Sequence, residues 1–361
     1  MTPTISRLTV GLLAFALIAS ACSSEPADET TTTTTASTTT TTSTTVADST
    51  SSSTSSTTTT VLELVVSEAI NGMPAPDDRI DRRVVVVKID NHPRARPQSG
   101  LEIADVVFEI PVEAGITRFM AMFHQSDLDY VGPNRSGRPT DSTIMTSLPG
   151  QPFQISGAQP WVQNIFSADD VNVVYDNGAT TYRESSRPRP NNLFTSSLLI
   201  REWADERGWP DEGPGNLFLF GEPTPGEEKA VVIATPVSAS GIPRWEWDGD
   251  QYLRFHDDEP HEWVAPDGET GQVGFDTIVV MKMRKYTASP SGEGTPVPAM
   301  ETVGSGELLV FTNGEVVTGT WERESKTDRF TLLTSDGDPL VLEPARIWVT
   351  LVPTSEIVTW E

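Results

Sequence analysis

One cysteine, four histidines and 25 basic against 51 acidic residues set the first limits on this 361-residue sequence. A lone cysteine excludes a disulfide framework and any multi-thiolate zinc site. The histidines, His92, His124, His256 and His261, are scattered and nowhere take the H-E-x-x-H spacing of a helical zinc site. No Walker loop, G-x-G-x-x-G fingerprint or covalent-cofactor signature occurs, so no cofactor and no metal are expected. A formal net charge of −26 and a pI near 4.4 exclude nucleic acid as a partner, since phosphate binding needs a basic surface. Aromatic residues make up only 7%, so part of the chain has little to bury.

Long apolar runs are also scarce, and the one at the start is an address. After Arg7, residues 8–18 are mostly apolar, too short to span a bilayer but suited to a secretory signal. Ala19, Ser20 and Ala21 follow, then Cys22, the single cysteine. This spacing resembles a bacterial lipobox, in which small side chains admit the peptidase and the thiol receives a diacylglyceryl unit. Residues 1–22 are read as a lipoprotein signal with lipidation at Cys22. Two acyl chains anchor stably, so the expected location is extracytoplasmic, on the outer face of the cytoplasmic membrane, with the lipid anchor as the only membrane contact. Of residues 23–60, 29 of 38 are Ser or Thr. Such a segment cannot offset the entropy of ordering and reads as a disordered stalk.

Residues 61–361 hold the folding material, with a net charge near −23. The Gly-, Pro- and Glu-rich stretch 208–229 suggests a soft boundary near residue 225. In 61–225, continuous apolar runs at 84–89, 106–112 and 119–123 read as buried strands, with helices at 141–148 and 195–207. The latter is capped by Thr195 or Ser196, with Leu198, Leu199, Trp203 and Ala204 on one face. In 226–361, seven strand candidates alternate with turns such as Asp248-Gly249, Asn313-Gly314 and Asp336-Gly337-Asp338. The expected class is α+β or α/β, a layered mixed N-terminal domain followed by a β-rich C-terminal domain forming a small barrel or sandwich.

Several stretches carry a resemblance. They are IDNHPRARPQSGL (89–101), ADVVFEIPVEAGITRF (104–119), GPNRSGR (132–138), NNLFTS (191–196), PHEWVAPDGETG (260–271), GTW (319–321) and PARIWVTLVP (344–353). Together they are similar to the YerB family of bacterial lipoproteins, the DUF3048-containing proteins. The resemblance implies a secreted or lipid-anchored two-domain protein without a firmly assigned activity. Asn134 stands where the family usually has a small or aliphatic residue, and Asn191 where a His is common.

The richest polar constellation, Asp90, Asn91, His92, Arg94, Arg96 and Gln98, follows the first strand, where open α/β sheets place ligands. A second set is Glu109, Glu113 and Arg118, with Arg118 the nearest partner in sequence for a buried Glu109. Arg135 and Arg138 flank Ser136-Gly137 and suit a carboxylate or phosphate. Arg183, Arg187 and Arg189 form another basic island. His92, Arg94, Arg96, Arg118, Arg135 and Arg138 are therefore the ligand-binding candidates, for a cell-wall component or an envelope protein. The competing expectation is a hydrolase of an envelope glycan or peptide, with Asp90, Glu109 and Glu113 as catalytic candidates. The same residues serve equally as structural ion pairs and turn caps.

Overall fold

The computed structural model describes residues 69–75, 79–237 and 241–361. The signal, Cys22 and the stalk lie outside them. The described residues fall within one compact unit running to Glu361.

The first three strands are β1 (Val85–Asp90), β2 (Val106–Pro111) and β3 (Thr117–Phe123), each buried along its whole length. Helix α1 (Pro139–Met145), the two-residue β4 (Phe153–Gln154), helix α2 (Pro160–Ala168), the two-residue β5 (Val173–Val174) and helix α3 (Ser197–Glu206) follow. The remainder is strand-rich. It includes β6 (Val232–Ala234), β7 (Pro243–Trp247), β8 (Tyr252–His256), β9 (Thr277–Met283) and β10 (Gly304–Thr312). It ends with β11 (Glu315–Arg323), β12 (Thr331–Thr334), β13 (Ile347–Pro353) and β14 (Thr359–Trp360). The fold is mixed α and β in its first part and β-rich in its second.

The strands of 226–361 do not close on themselves as a barrel. Most divide between two sheets, and Glu262–Val264 with Thr270–Gln272 and Lys285–Ala288 with Val297–Met300 form two separate ribbons. One sheet runs β12-β11-β10-β9-β13-β2-β3-β1-β4-β5, so it crosses the residue-225 position. The junction is β13, which pairs in parallel with both β9 and β2, setting Val106 opposite Ile347 and Phe108 opposite Val349. Strands β1, β2, β3 and β13 are buried on both faces, which explains their nearly continuous apolar runs. The second sheet is built from β6, β7, β8 and β14 with two short strands beside β8.

Side chains alternate across the large sheet. Val86, Phe108, Met120 and Val349 face Ile144, Val162 and Phe166 of α1 and α2. Val87, Val107, Ala121 and Trp348 face Ile200 of α3 and Trp245, Tyr252 and Phe275 of the second sheet. Helix α2 has a start signal in Pro160 and an i,i+4 apolar pair in Val162 and Phe166. Helix α3 begins at the Ser196 cap but is turned relative to the expected face. It buries Ser197, Ile200 and Ala204, and leaves Leu198 44% exposed. Polar contacts set this rotation: Ser197 Oγ accepts from Leu128 N at 2.9 Å, and Arg201 Nε meets Asp127 at 2.9 Å. The Asn313-Gly314 turn between β10 and β11 has both residues at positive φ, the two-residue geometry that matches strand twist.

In the β11 triplet Gly319-Thr320-Trp321, Trp321 is buried and its Nε1 donates to Lys282 O at 2.8 Å. A Cβ at Gly319 would lie 2.0 Å from Leu333 O on β12. Gly319→Ala should lower stability by about 1–3 kcal/mol, as overpacking does. Gly292→Ala, with nothing within 4 Å, should stay within about 0.5 kcal/mol of the parent. Urea midpoints of the full chain measure both, and equal midpoints would contradict the tight β11–β12 approach.

Candidate functional site

Charged residues buried within strands need partners, and three wholly buried ones interrupt apolar stretches: Lys88, Glu109 and Arg254. Pleat parity sends Lys88 to the helix-covered face of the large sheet, and Glu109 to the face covered by the second sheet.

Glu109 is wholly buried, and Arg118 is not its partner. Its partner is Arg254 of β8, also wholly buried, whose Nη2 lies 2.8 and 2.9 Å from the two carboxylate oxygens. Arg118 faces the opposite side of the sheet, because it neighbours Phe119, which pairs with Glu109. Trp348 Nε1 donates to Glu109 Oε2 at 3.1 Å, and Thr117 Oγ1 donates to Oε1 at 2.7 Å. The Arg254 guanidinium lies 4.9 Å from the Trp348 ring and 5.5 Å from those of Phe119 and Trp245. Trp245 is thus core rather than a sugar-stacking surface.

From this pair a polar circuit closes through the loop after β1. Asn91 Nδ2 donates to Thr117 Oγ1 at 2.7 Å, and Asn91 Oδ1 accepts from Arg96 Nε at 3.0 Å and Gln98 Nε2 at 3.3 Å. Gln98 Oε1 lies 2.8 Å from His261 Nε2, and His261 Nδ1 meets Arg254 Nη1. An arginine only donates, so Nδ1 accepts and Nε2 carries the proton toward Gln98. Burial, then the nearby Arg254 and Arg96 charges, push His261 well below the usual imidazole range.

The opposite face holds the other candidates. Lys88 Nζ lies 2.7 Å from Asp141, both side chains wholly buried, and burial lowers this lysine to about 8. Asp90 is buried against Arg135 at 3.2 Å and Asn191 Nδ2 at 2.7 Å, with Arg118 Nε 4.0 Å away. Arg118 donates to Ser136 O at 2.7 Å, but its buried Nε has no hydrogen-bond partner among the described residues. Burial and the neighbouring Arg138 and Arg135 lower it to about 10. Arg138 forks onto Glu113, with two 2.7 Å contacts. Thus Arg118, Arg135 and Arg138 cluster around internal carboxylates. The candidate carboxylates Asp90 and Glu109 occupy opposite faces of the large sheet, and Glu113 is held by Arg138.

His92 and Arg94 are exposed on the short 3-10 turn Pro93–Ala95, where His92 Nδ1 accepts from Arg94 N. In the third island, Arg183 pairs with Asp176, while Arg187 donates to Ala95 O at 3.0 Å and Pro97 O at 2.6 Å, tying down this loop. Between loop 93–97 and the turn 256–262 opens a cleft of about 430 Å³. Arg96 enters it from the circuit. Its Nη2 donates to Asn91 O at 3.2 Å and sits 3.2 Å from His256 Nδ1. Among the described residues, no carboxylate forms an ion pair with Arg96 within 4.0 Å. Burial lowers it to about 10, with Arg254 adding to the effect.

The loop signal after β1 was visible in the sequence. Arg254, Trp348 and His261 were missed as site residues, although Arg254 interrupts an apolar strand just as Glu109 does.

The fold and site define an extensively cross-linked α+β protein with an arginine-floored cleft at its seam and its candidate carboxylates apart. The chain belongs to the DUF3048 family. The model described as "Protein of unknown function (DUF3048) N-terminal domain" matches residues 70–210, and the corresponding C-terminal domain matches residues 233–349. The chain is 27% identical over 290 residues to "Putative lipoprotein YerB" of Bacillus subtilis (strain 168), covering 79% of this chain and 85% of that protein. The crystal structure of YerB from Bacillus subtilis superposes with a TM-score of 0.70 at 24% identity, covering 81% of this chain and 99% of that one.

Two buried imidazoles give stability a pH dependence. His124 accepts from Ile70 N through Nδ1 and faces Ile80 O through Nε2, and burial lowers it to about 4. His261 is lowered in the same direction. Both bind a proton more readily unfolded, near pH 6.5. Their stabilising contribution is complete above that pH and declines as the pH falls toward 4, by up to about 1.4 kcal/mol per unit for each. Urea midpoints of the full chain should therefore fall between pH 6.5 and 5, less steeply in His124→Asn. Equal slopes for parent and variant would contradict the buried neutral tautomer.

Proposed function

We propose that this protein is a lipid-anchored component of the bacterial cell envelope that binds an anionic envelope ligand in the Arg96 cleft. The carrying observation is a largely buried guanidinium in a cleft, hydrogen-bonded to Asn91 and near His256, without an ion-paired carboxylate. The nearby Glu109, Asp257 and Asp90 charges act on this guanidinium only from a distance, and a ligand carboxylate or phosphate oxygen would give it a charge-assisted hydrogen bond in direct contact. Asn91 holds Arg96 by two hydrogen bonds, and Arg187 fixes its loop, so little side-chain freedom is lost when a ligand arrives. Arg118, Arg135 and Arg138 remain the framework around Asp90 and Glu113 in this reading.

The anchor rests on the lipobox-like Cys22 and on the name of the Bacillus relative. It places the binding cleft outside the cytoplasmic membrane. Metabolic labelling with a fatty acid should mark the parent chain and leave Cys22→Ser unlabelled. Label retained in the variant would remove the anchor from the proposal.

For the ligand, purified peptidoglycan fragments bearing free carboxylates are titrated against the full chain. Arg96→Ala should weaken binding at least about tenfold, the loss expected for a charge-assisted hydrogen bond. Arg284→Ala, an exposed arginine paired with Glu301, should bind as the parent does. Equal affinities for parent and Arg96→Ala would count against the cleft.

A further inference from the structure

The cleft has a second electrostatic feature. Turn 256–262 presents the exposed carboxylates of Asp257, Glu259 and Glu262 along its opening, opposite the loop that delivers Arg96. Asp257 sits at positive φ, and its Oδ1 accepts from Ile242 N at 3.0 Å, so this turn is fixed by the chain itself. One wall carries Pro93 and Pro97 and the other Pro260, giving rigid, mainly apolar sides. The site therefore has a cationic floor, an anionic rim and a volume within the range of small-ligand pockets, about 300–1,000 Å³.

These features select among anions. A dianionic phosphate or a polyanionic polymer would meet one guanidinium but three rim carboxylates, within a protein of net charge −26. Like-charge juxtaposition disfavours that match. A ligand with one carboxylate and one ammonium answers both ends of the cleft. We infer that the Arg96 cleft recognises a zwitterionic amino acid or short peptide, its carboxylate on Arg96 and its ammonium toward the carboxylates of Glu259 and Glu262. This inference rests on the binding role proposed for the same cleft and names its ligand class.

The two ends contribute differently. The Arg96 contact is largely desolvated and held by Asn91, so it carries most of the affinity. The rim contacts are solvent-exposed, where single ion pairs are worth little but still discriminate between charges.

Calorimetric titration of the full chain in detergent micelles with trialanine, N-acetyl-trialanine and trialanine amide separates these contributions. Trialanine should bind most tightly. Acetylation should weaken binding about threefold to fivefold, and amidation at least about tenfold. In the Glu259→Gln/Glu262→Gln variant, free and acetylated peptides should bind equally. If acetylated and free peptides bind the parent equally, zwitterion recognition is overturned while the anion-binding role stands. If none of the three binds, or if only the amide binds, zwitterion recognition is overturned, and the anion-binding role is decided by the peptidoglycan-fragment titration. The comparison uses the unaltered chain, so it holds whether or not Arg96→Ala folds.

Discussion

The wholly buried Glu109–Arg254 pair is the constraint from which the rest of the structure follows. It joins β2 of the large sheet to β8 of the second sheet, residues 145 positions apart in sequence. Removing one member of such a pair typically costs about 3–5 kcal/mol, because the survivor stays buried and uncompensated. Trp348 and Thr117 complete the hydrogen bonding of Glu109, and the rings of Phe119, Trp245 and Trp348 surround Arg254, whose Nε has no hydrogen-bond partner among the described residues. The loop after β1, the turn bearing His261 and the sheet junction are therefore held to one geometry.

That geometry also explains why charged residues with similar sequence settings do different work. Asp90 and Asn91 are consecutive, yet the pleat sends them to opposite faces. Asp90 meets Arg135 and Asn191, whereas Asn91 meets Thr117 and Arg96. Most of the arginines that stand out in an acidic chain are engaged internally: Arg118, Arg135 and Arg138 around carboxylates, Arg183 on Asp176, and Arg187 on loop carbonyls. Arg96 differs, since its hydrogen bonds come from Asn91 and it reaches a cleft. Its separation from the other basic candidates is a consequence of strand alternation and loop direction.

Family membership gives this arrangement its context without giving it a reaction. The two family segments, 70–210 and 233–349, meet in sequence near the Gly/Pro-rich stretch 208–229. In space, β13 lies between β9 and β2, and both segments contribute to one sheet. Buried Leu217, Phe218 and Phe220 within the connecting stretch pack into the same core. The cleft forms where the first segment's loop meets the second segment's turn, so neither segment alone contains its complete lining.

Local pattern determined much of this protein. Four consecutive valines before Asp90, the Ser196 cap and the Asn313-Gly314 turn each fix structure within a few residues, through sterics and short-range hydrogen bonds. The charge set in the apolar run 106–112 announced that a buried Glu109 would need partners. Tertiary structure alone decided who those partners are. Arg118 is near Glu109 in sequence but on the wrong face, while Arg254 arrives from another sheet. The tilt of α3 was likewise set by Ser197 and Arg201 reaching back to residues 127 and 128, which an apolar count along one helix does not register. Burial makes distant charges seek one another strongly, but strand pairing and pleat determine which can meet.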